Sequence, residues 1–295
     1  FRPVGRVVDE RAIVNATVAL LATGGSTNHT MHLVAIARSA GILMDWSDIA
    51  DLSAVVPLMT RIYPNGQADV NHFHAAGGTS CLFRQLLSAG YMHPDAATVW
   101  GNTFADFVKE PFLDDHVLKW RESPSESYDE TVLASIDEPF AKEGGLRLMS
   151  GNLGRCIIKI SAVAAEHRFV EAPIVVIEDQ NDLQALFEKG ELDRDCIVVV
   201  RYQGPRARGM PELHKLTPYL GTLQDRGHRV ALVTDGRMSG ASGKVPAAIH
   251  LVPEADEGGL LRYLEDGDMM RLNADNGELA VLGDIDLIMQ RRTSG

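Results

Sequence analysis

The stretch that most constrains the fold of this chain is Val233 to Ala255, VTDGRMSGASGKVPAAIHLVPEA. It follows an apolar run, Val230 to Val233, that reads as a buried strand. The strand runs into a loop holding Gly236, Gly240 and Gly243, with the small hydroxyl residues Ser239 and Ser242 among them. Glycine lets backbone approach a ligand closely and adopt positive φ. Open α/β sheets place ligands where a strand ends in such a loop. A tight structural turn explains the same composition. The spacing is not G-x-x-x-x-G-K-[ST], so this is not a P-loop.

Upstream, Cys196 to Arg201 (CIVVVR) reads as a second buried strand, and Cys156–Val163 and Ile174–Ile177 as two more. Gln180–Gly190 is predicted as a short helix capped by Asn181 or Asp182. Met210–Leu223 is predicted as a longer one that begins around Pro211. Asn276-Gly277 predicts a type I′ hairpin turn within Gly267–Leu282. The first half reads as helical: Asp9–Leu21, then a helix from Ser26 or Thr27 as N-cap through Ala40, with His29 and His32 on one face. Trp46–Ala54 and Ser53–Ile62 follow, and then Asp69–Gly90, helical after Gly77-Gly78 with Leu82, Leu86 and Leu87 as its apolar face. Backbone N–H groups at Ser26 to Asn28 offer an anion site at a helix start. Ala96 to Gly144 is polar and without a clear period, which suggests a linking excursion. We expect two domains, 1–144 and 145–295.

Composition limits function. With 295 residues and 45% hydrophobic content, the chain can bury a substantial core. A net charge of -12 argues against a nucleic-acid partner. No apolar run reaches the ~18 residues of a membrane span, and no signal peptide is visible. Cys81, Cys156 and Cys196 are widely spaced, without a C-x-x-C pair. They read as buried core thiols in a protein of the reducing cytoplasm. The chain begins at Phe1 and enters almost directly into a helical pattern, so we expect the C-terminal portion of a longer protein.

Three blocks carry a family resemblance: LLATGGSTNHTMHLVAIARSAGI from Leu20, YQGPRARGMPELHKLTPYLGTLQDRG from Tyr202, and TDGRMSGASGKVPAAIHLVPEA from Thr234. In this order they resemble the dihydroxy-acid dehydratase / phosphogluconate dehydratase family, and its phosphogluconate branch most. The resemblance implies an α/β fold: the C-terminal part of a helical, α/β N-terminal domain, then a swivelling β-barrel-like domain of the aconitase type. It implies a hydro-lyase converting 6-phospho-D-gluconate to 2-dehydro-3-deoxy-6-phosphogluconate and water. A sister dehydratase of a free sugar acid or a branched dihydroxy acid is the alternative. A second is a fragment that acts only in binding or assembly, since this chain alone is expected to be inactive.

Such a reaction must take a proton from C2 and hydroxide from C3. By resemblance, an iron–sulfur cluster (4Fe-4S, with ligands upstream of this chain) acts on the leaving hydroxyl. A divalent cation such as Mg2+ stabilises the enediolate. Ser239 matches the family's basic serine. A free serine is too weak a base at neutral pH, so nearby positive charge must favour its ionised form. Glu212 matches the family's metal-binding glutamate, and a hard cation wants carboxylate oxygen. An acidic residue at a helix start explains Glu212 without a metal. Ser26 and Asn28, at the helix start, are candidate substrate contacts. Ser242 and Lys244 are candidate contacts to the phosphorylated end, on a loop that departs from relatives with unphosphorylated substrates. We expect the side chains of residues 239 and 212 to converge on one cation. The implied partners are a small anionic sugar-acid phosphate and a second copy in a homodimer, with no nucleic acid and no membrane.

Overall fold

The two runs that are apolar at every position become strands buried on both faces. They are β6 (Cys196–Val200) and β7 (Val230–Thr234), in the computed structural model, which describes residues 2–100, 103–238 and 243–291. Successive side chains point to opposite faces of a strand. Ile197, Val199, Ala231 and Val233 therefore join one core cluster, while Cys196, Val198, Val200, Val230 and Leu232 join another. Strands with both faces covered read this way in parallel sheets. The two strands do pair in parallel, Val199 opposite Val233.

The chain divides into two units, Phe1–Gly145 and Leu146–Gly295. In the second, β5 (Phe169–Ile177) lies parallel to β6, and β8 (Ala247–Val252) parallel to β7. β3 (Leu146–Gly151), β4 (Gly154–Lys159), β9 (Met269–Asn273) and β10 (Glu278–Leu282) complete a closed barrel in the order β10-β3-β4-β8-β7-β6-β5-β9. Met149, Ile158, Ile174, Met270 and Leu272 help fill its interior. The helices α6 (Asp182–Glu188) and α7 (Thr217–Asp225) bury Leu183, Leu220 and Leu223 in the outer cluster. They are the crossovers that parallel neighbours require. Strands pass so closely that a Cβ on Gly151 would lie 1.9 Å from the Leu279 carbonyl oxygen. The fold is α/β, with the barrel-like second half that the resemblance implies.

In the first unit, α1 (Glu10–Ala22), α2 (His29–Ser39), α3 (Trp46–Ser53), α4 (Val70–Ala75) and α5 (Gly78–Ser88) surround Leu21, Ile49, Met59, Leu82 and Leu86. Asp9, Asp45 and Asp69 cap α1, α3 and α4, each accepting a backbone N–H. β1 (Lys109–Asp114) and β2 (Val117–Glu122) form a hairpin.

Four expectations are corrected. Residues 54–62 are not a helix: Leu58, Thr60 and Ile62 make extended bridges to Ala141, Leu133 and Ala68. Neither Ser26 nor Thr27 caps α2, which starts at His29 with Asn28 in the cap position and no side-chain cap bond. The helix predicted over 210–223 begins only at Thr217. Met210 is left-handed (φ 55°), and Pro211 supplies no N–H. The Asn276-Gly277 pair is not a type I′ turn. β9 and β10 pair at Asn273 and Glu278, leaving a four-residue loop, and of that loop's residues only Gly277 has positive φ. A hairpin turn with two successive positive φ values occurs instead at Asp115-His116 (49° and 64°), between Asp114 and Val117 of the β1–β2 hairpin.

Candidate active site

Three parallel strands, β5, β6 and β7, end on one side of the barrel, and the loops that leave them are tied together. Asp235, just past β7, is buried. Its carboxylate accepts the backbone N–H groups of Gln203 (2.8 Å), Ala255 (3.0 Å) and Tyr202 (3.1 Å). Burial pushes this carboxyl above its ordinary range, and the three N–H groups oppose that rise. Gln203, past β6, is also buried and donates from Nε2 to Glu178 O (2.6 Å) and Arg201 O (2.9 Å). Gly236 is needed for closeness: a Cβ there would lie 2.6 Å from Gln203 Cβ. Arg206 and Arg208, in the loop after β6, already have partners. Arg206 Nη1 meets Glu257 at 3.4 Å, and Arg208 Nη1 donates to Glu178 O at 2.8 Å.

Glu212 lies on this side, in the irregular segment before α7. It bridges Arg237 through the backbone, with Leu213 N–H donating to Arg237 O at 3.2 Å. Its Oε2 accepts from Arg237 Nη1 at 2.5 Å, and Arg237 Nε donates to Met210 O at 2.7 Å. Gln180, past β5, donates to Glu212 O (3.2 Å) and accepts from Lys215 N (3.2 Å). Because no helix begins at residue 212, a favourable helix-start position does not account for this carboxylate. Its role as an ion-pair partner of Arg237 does. Sequence reading did not single out Arg237, Gln180 or Asp235. Their roles depend on contacts 20 to 35 residues away in the chain, which no local pattern reports.

Ser239 and Ser242 lie outside the described residues, which resume at Gly243 after ending at Met238. Lys244 Nζ is exposed and bonds both oxygens of Asp225, at 2.6 and 2.7 Å. In the first unit, Asn28 N–H donates to Ser26 Oγ at 3.3 Å. Asn28 Oδ1 is a buried acceptor without a hydrogen-bond partner. An acceptor suits a hydroxyl donor better than it suits an anion. His29 and His32 are both exposed on α2.

The residues present can be tested against the implied cofactors. Cys81, Cys156 and Cys196 are free and fully buried, on α5, β4 and β6. Burial raises all three thiols, that of Cys196 to about 11. Cluster ligation takes thiolates gathered in one place, so these cysteines do not fit it. Among the described residues, no three His, Cys, Asp or Glu side chains group as a metal site. A divalent cation would find Glu212 as its carboxylate here, with further ligands from elsewhere. No helix among the described residues is long and apolar enough to cross a membrane.

Comparison with known proteins bears on this geometry. Residues 1–107 match the model described as dihydroxy-acid/6-phosphogluconate dehydratase N-terminal, and residues 131–295 match the C-terminal one. The chain is 63% identical over 284 residues to a phosphogluconate dehydratase of Pseudomonas aeruginosa, covering 96% of this chain and 47% of the relative. It is 58% identical to that of Escherichia coli K12, with the same coverage. A dihydroxy-acid dehydratase of Caldanaerobacter subterraneus is 33% identical, over 91% of this chain and 46% of the relative. The chain thus spans about half the length of the curated relatives it matches. The chain belongs to the dihydroxy-acid/6-phosphogluconate dehydratase family.

Proposed function

We propose that this chain supplies part of the active site of a hydro-lyase that converts 6-phospho-D-gluconate to 2-dehydro-3-deoxy-6-phosphogluconate and water. One observation carries the choice of substrate. Identity to the phosphogluconate dehydratase of Pseudomonas aeruginosa is 63%, against 33% to a dihydroxy-acid dehydratase. Ser239 removes the C2 proton, and Glu212 provides carboxylate oxygen to a divalent cation. That pairing is supported by the Glu212–Arg237 bond, since Arg237 precedes Ser239 by two residues. The cation and an iron–sulfur centre, when bound, would supply positive charge beside the acid end of the substrate and beside the departing hydroxyl. The cluster's ligands lie outside this chain's cysteines. Ser242 and Lys244 meet the phosphorylated end, and Ser26 and Asn28 hold substrate hydroxyls. The two structural units, 1–144 and 145–295 in the sequence reading, act as the end of a cluster-bearing domain and a serine-bearing one. The working protein is a cytoplasmic homodimer.

The test is a substrate comparison with the full-length protein. kcat/KM for 6-phosphogluconate should exceed that for gluconate and for 2,3-dihydroxyisovalerate by at least about 100-fold, the order a site built around a charged group reaches. Equal rates on gluconate would remove the phosphate from the reading.

A further inference from the structure

We propose that Arg237 is the positioning residue for the cation-binding carboxylate of Glu212. This rests on the reading of Glu212 as a cation ligand. Arg237 grips the 210–213 segment at three points. Nη1 holds Glu212 Oε2 at 2.5 Å, Nε holds Met210 O at 2.7 Å, and its own carbonyl accepts Leu213 N–H at 3.2 Å. Met210 is left-handed, a backbone state that a non-glycine residue keeps only where its surroundings over-determine it. The guanidinium–carbonyl bond is such a restraint. Both side chains are partly buried, 29% exposed for Arg237 and 27% for Glu212. A planar guanidinium can bond a carboxylate and a carbonyl at once in a fixed geometry, and an ammonium on a flexible stem cannot.

Two effects oppose each other. The positive guanidinium repels a cation, while its bonds hold the carboxylate in one orientation before the cation arrives. A glutamate left free must lose its rotamer freedom on binding. Groups that orient a metal ligand in this way change affinity by about 10–100-fold when replaced. We assign the larger effect to orientation. In the sequence, Arg237 stands two residues before the proposed base, Ser239.

The experiment measures Mn2+ binding by equilibrium dialysis in the full-length protein, for wild type, Arg237→Lys, Arg237→Gln and Glu212→Gln. Melting temperature and the Mg2+ dependence of turnover are followed in parallel. Arg237→Lys should weaken Mn2+ binding by roughly tenfold. It should raise the Mg2+ concentration for half-maximal rate by the same factor, with kcat at saturating Mg2+ within a few-fold and the melting temperature near wild type. Arg237→Gln should weaken binding at least as much. Unchanged or tighter Mn2+ binding in both Arg237 variants, with Glu212→Gln impaired, would overturn the positioning role alone. If Glu212→Gln binds Mn2+ as wild type does, the ligand reading itself fails and takes the proposal with it.

Discussion

Two ion pairs flank the glycine-rich signature, at nearly the same distance and in different settings. Glu212 and Arg237 meet at 2.5 Å with 27% and 29% of their side chains exposed. Lys244 and Asp225 meet at 2.6 Å with 50% and 68% exposed. The first pair is stitched into backbone: Arg237 also holds Met210 O, and Glu212 O is held by Gln180. In the second, the charged ends bond each other, with no further partner among the described residues, although the Lys244 carbonyl accepts from Gln224 Nε2 at 3.1 Å. Water screens an exposed pair, and two long side chains lose freedom to form it, so such pairs contribute about 0–1 kcal/mol. A partly buried pair tied to main chain fixes the course of two segments. Distance alone does not distinguish them.

The strongest way to sharpen that contrast is to remove the group to which the first pair leads. Ser239→Ala should lower kcat by about 10²–10⁴-fold, the contribution of a positioned base, while KM and melting temperature stay near wild type. Residual activity above a tenth of wild type in a steady-state assay would mean that the base lies elsewhere, and the Glu212–Arg237 pair would then lose its catalytic neighbour.

Asp235 is the next lever, because it fastens the loop that carries Arg237 to those around Tyr202 and Ala255. Asp235→Asn leaves buried N–H groups poorly matched and should cost about 1–3 kcal/mol of stability. The pH dependence is specific. Burial raises the Asp235 carboxyl in the folded state, so the native protein holds that proton more tightly than the unfolded chain does. The stability this gives is present in full below the ordinary carboxylate value and is lost as pH rises through the raised one. The gap in melting temperature between wild type and Asp235→Asn should therefore widen as pH is lowered from 7 toward 4. A gap that is flat or narrows on acidification would show an ordinary or depressed carboxyl.

The same contrast explains what the sequence discloses. β6 and β7 are legible because burial on both faces leaves continuous apolar runs, a local signal. The segment 210–216 is not, because Leu213, Leu216, Leu220 and Leu223 keep a helix-like spacing although the first two pack from irregular chain. What holds that chain is Arg237 and Gln180, remote in sequence. Glu212 is found by resemblance, but its partner is found only by geometry. The hairpins make the point in reverse. Asn276-Gly277 has the favoured dipeptide without the expected turn, whereas Asp115-His116 takes positive φ at both positions without a glycine, in register with its paired strands. The charged residues of β1 and β2 read as part of a polar excursion, since neither face of that hairpin is deeply buried.

The smallest expected effect tests the exposed pair. If Lys244 meets the phosphorylated end of the substrate, its bond to Asp225 is a resting partner that a dianion displaces at little cost, since an exposed pair is weak. Lys244→Met should then raise KM for 6-phosphogluconate a few-fold, leave kcat unchanged and barely move the melting temperature. Asp225→Asn should act in the opposite direction, lowering KM by freeing the ammonium. Steady-state kinetics on both variants separates the two roles. A lysine that only decorates the surface leaves KM untouched in both, and the two pairs would then differ in kind, one built for the reaction and one incidental to it.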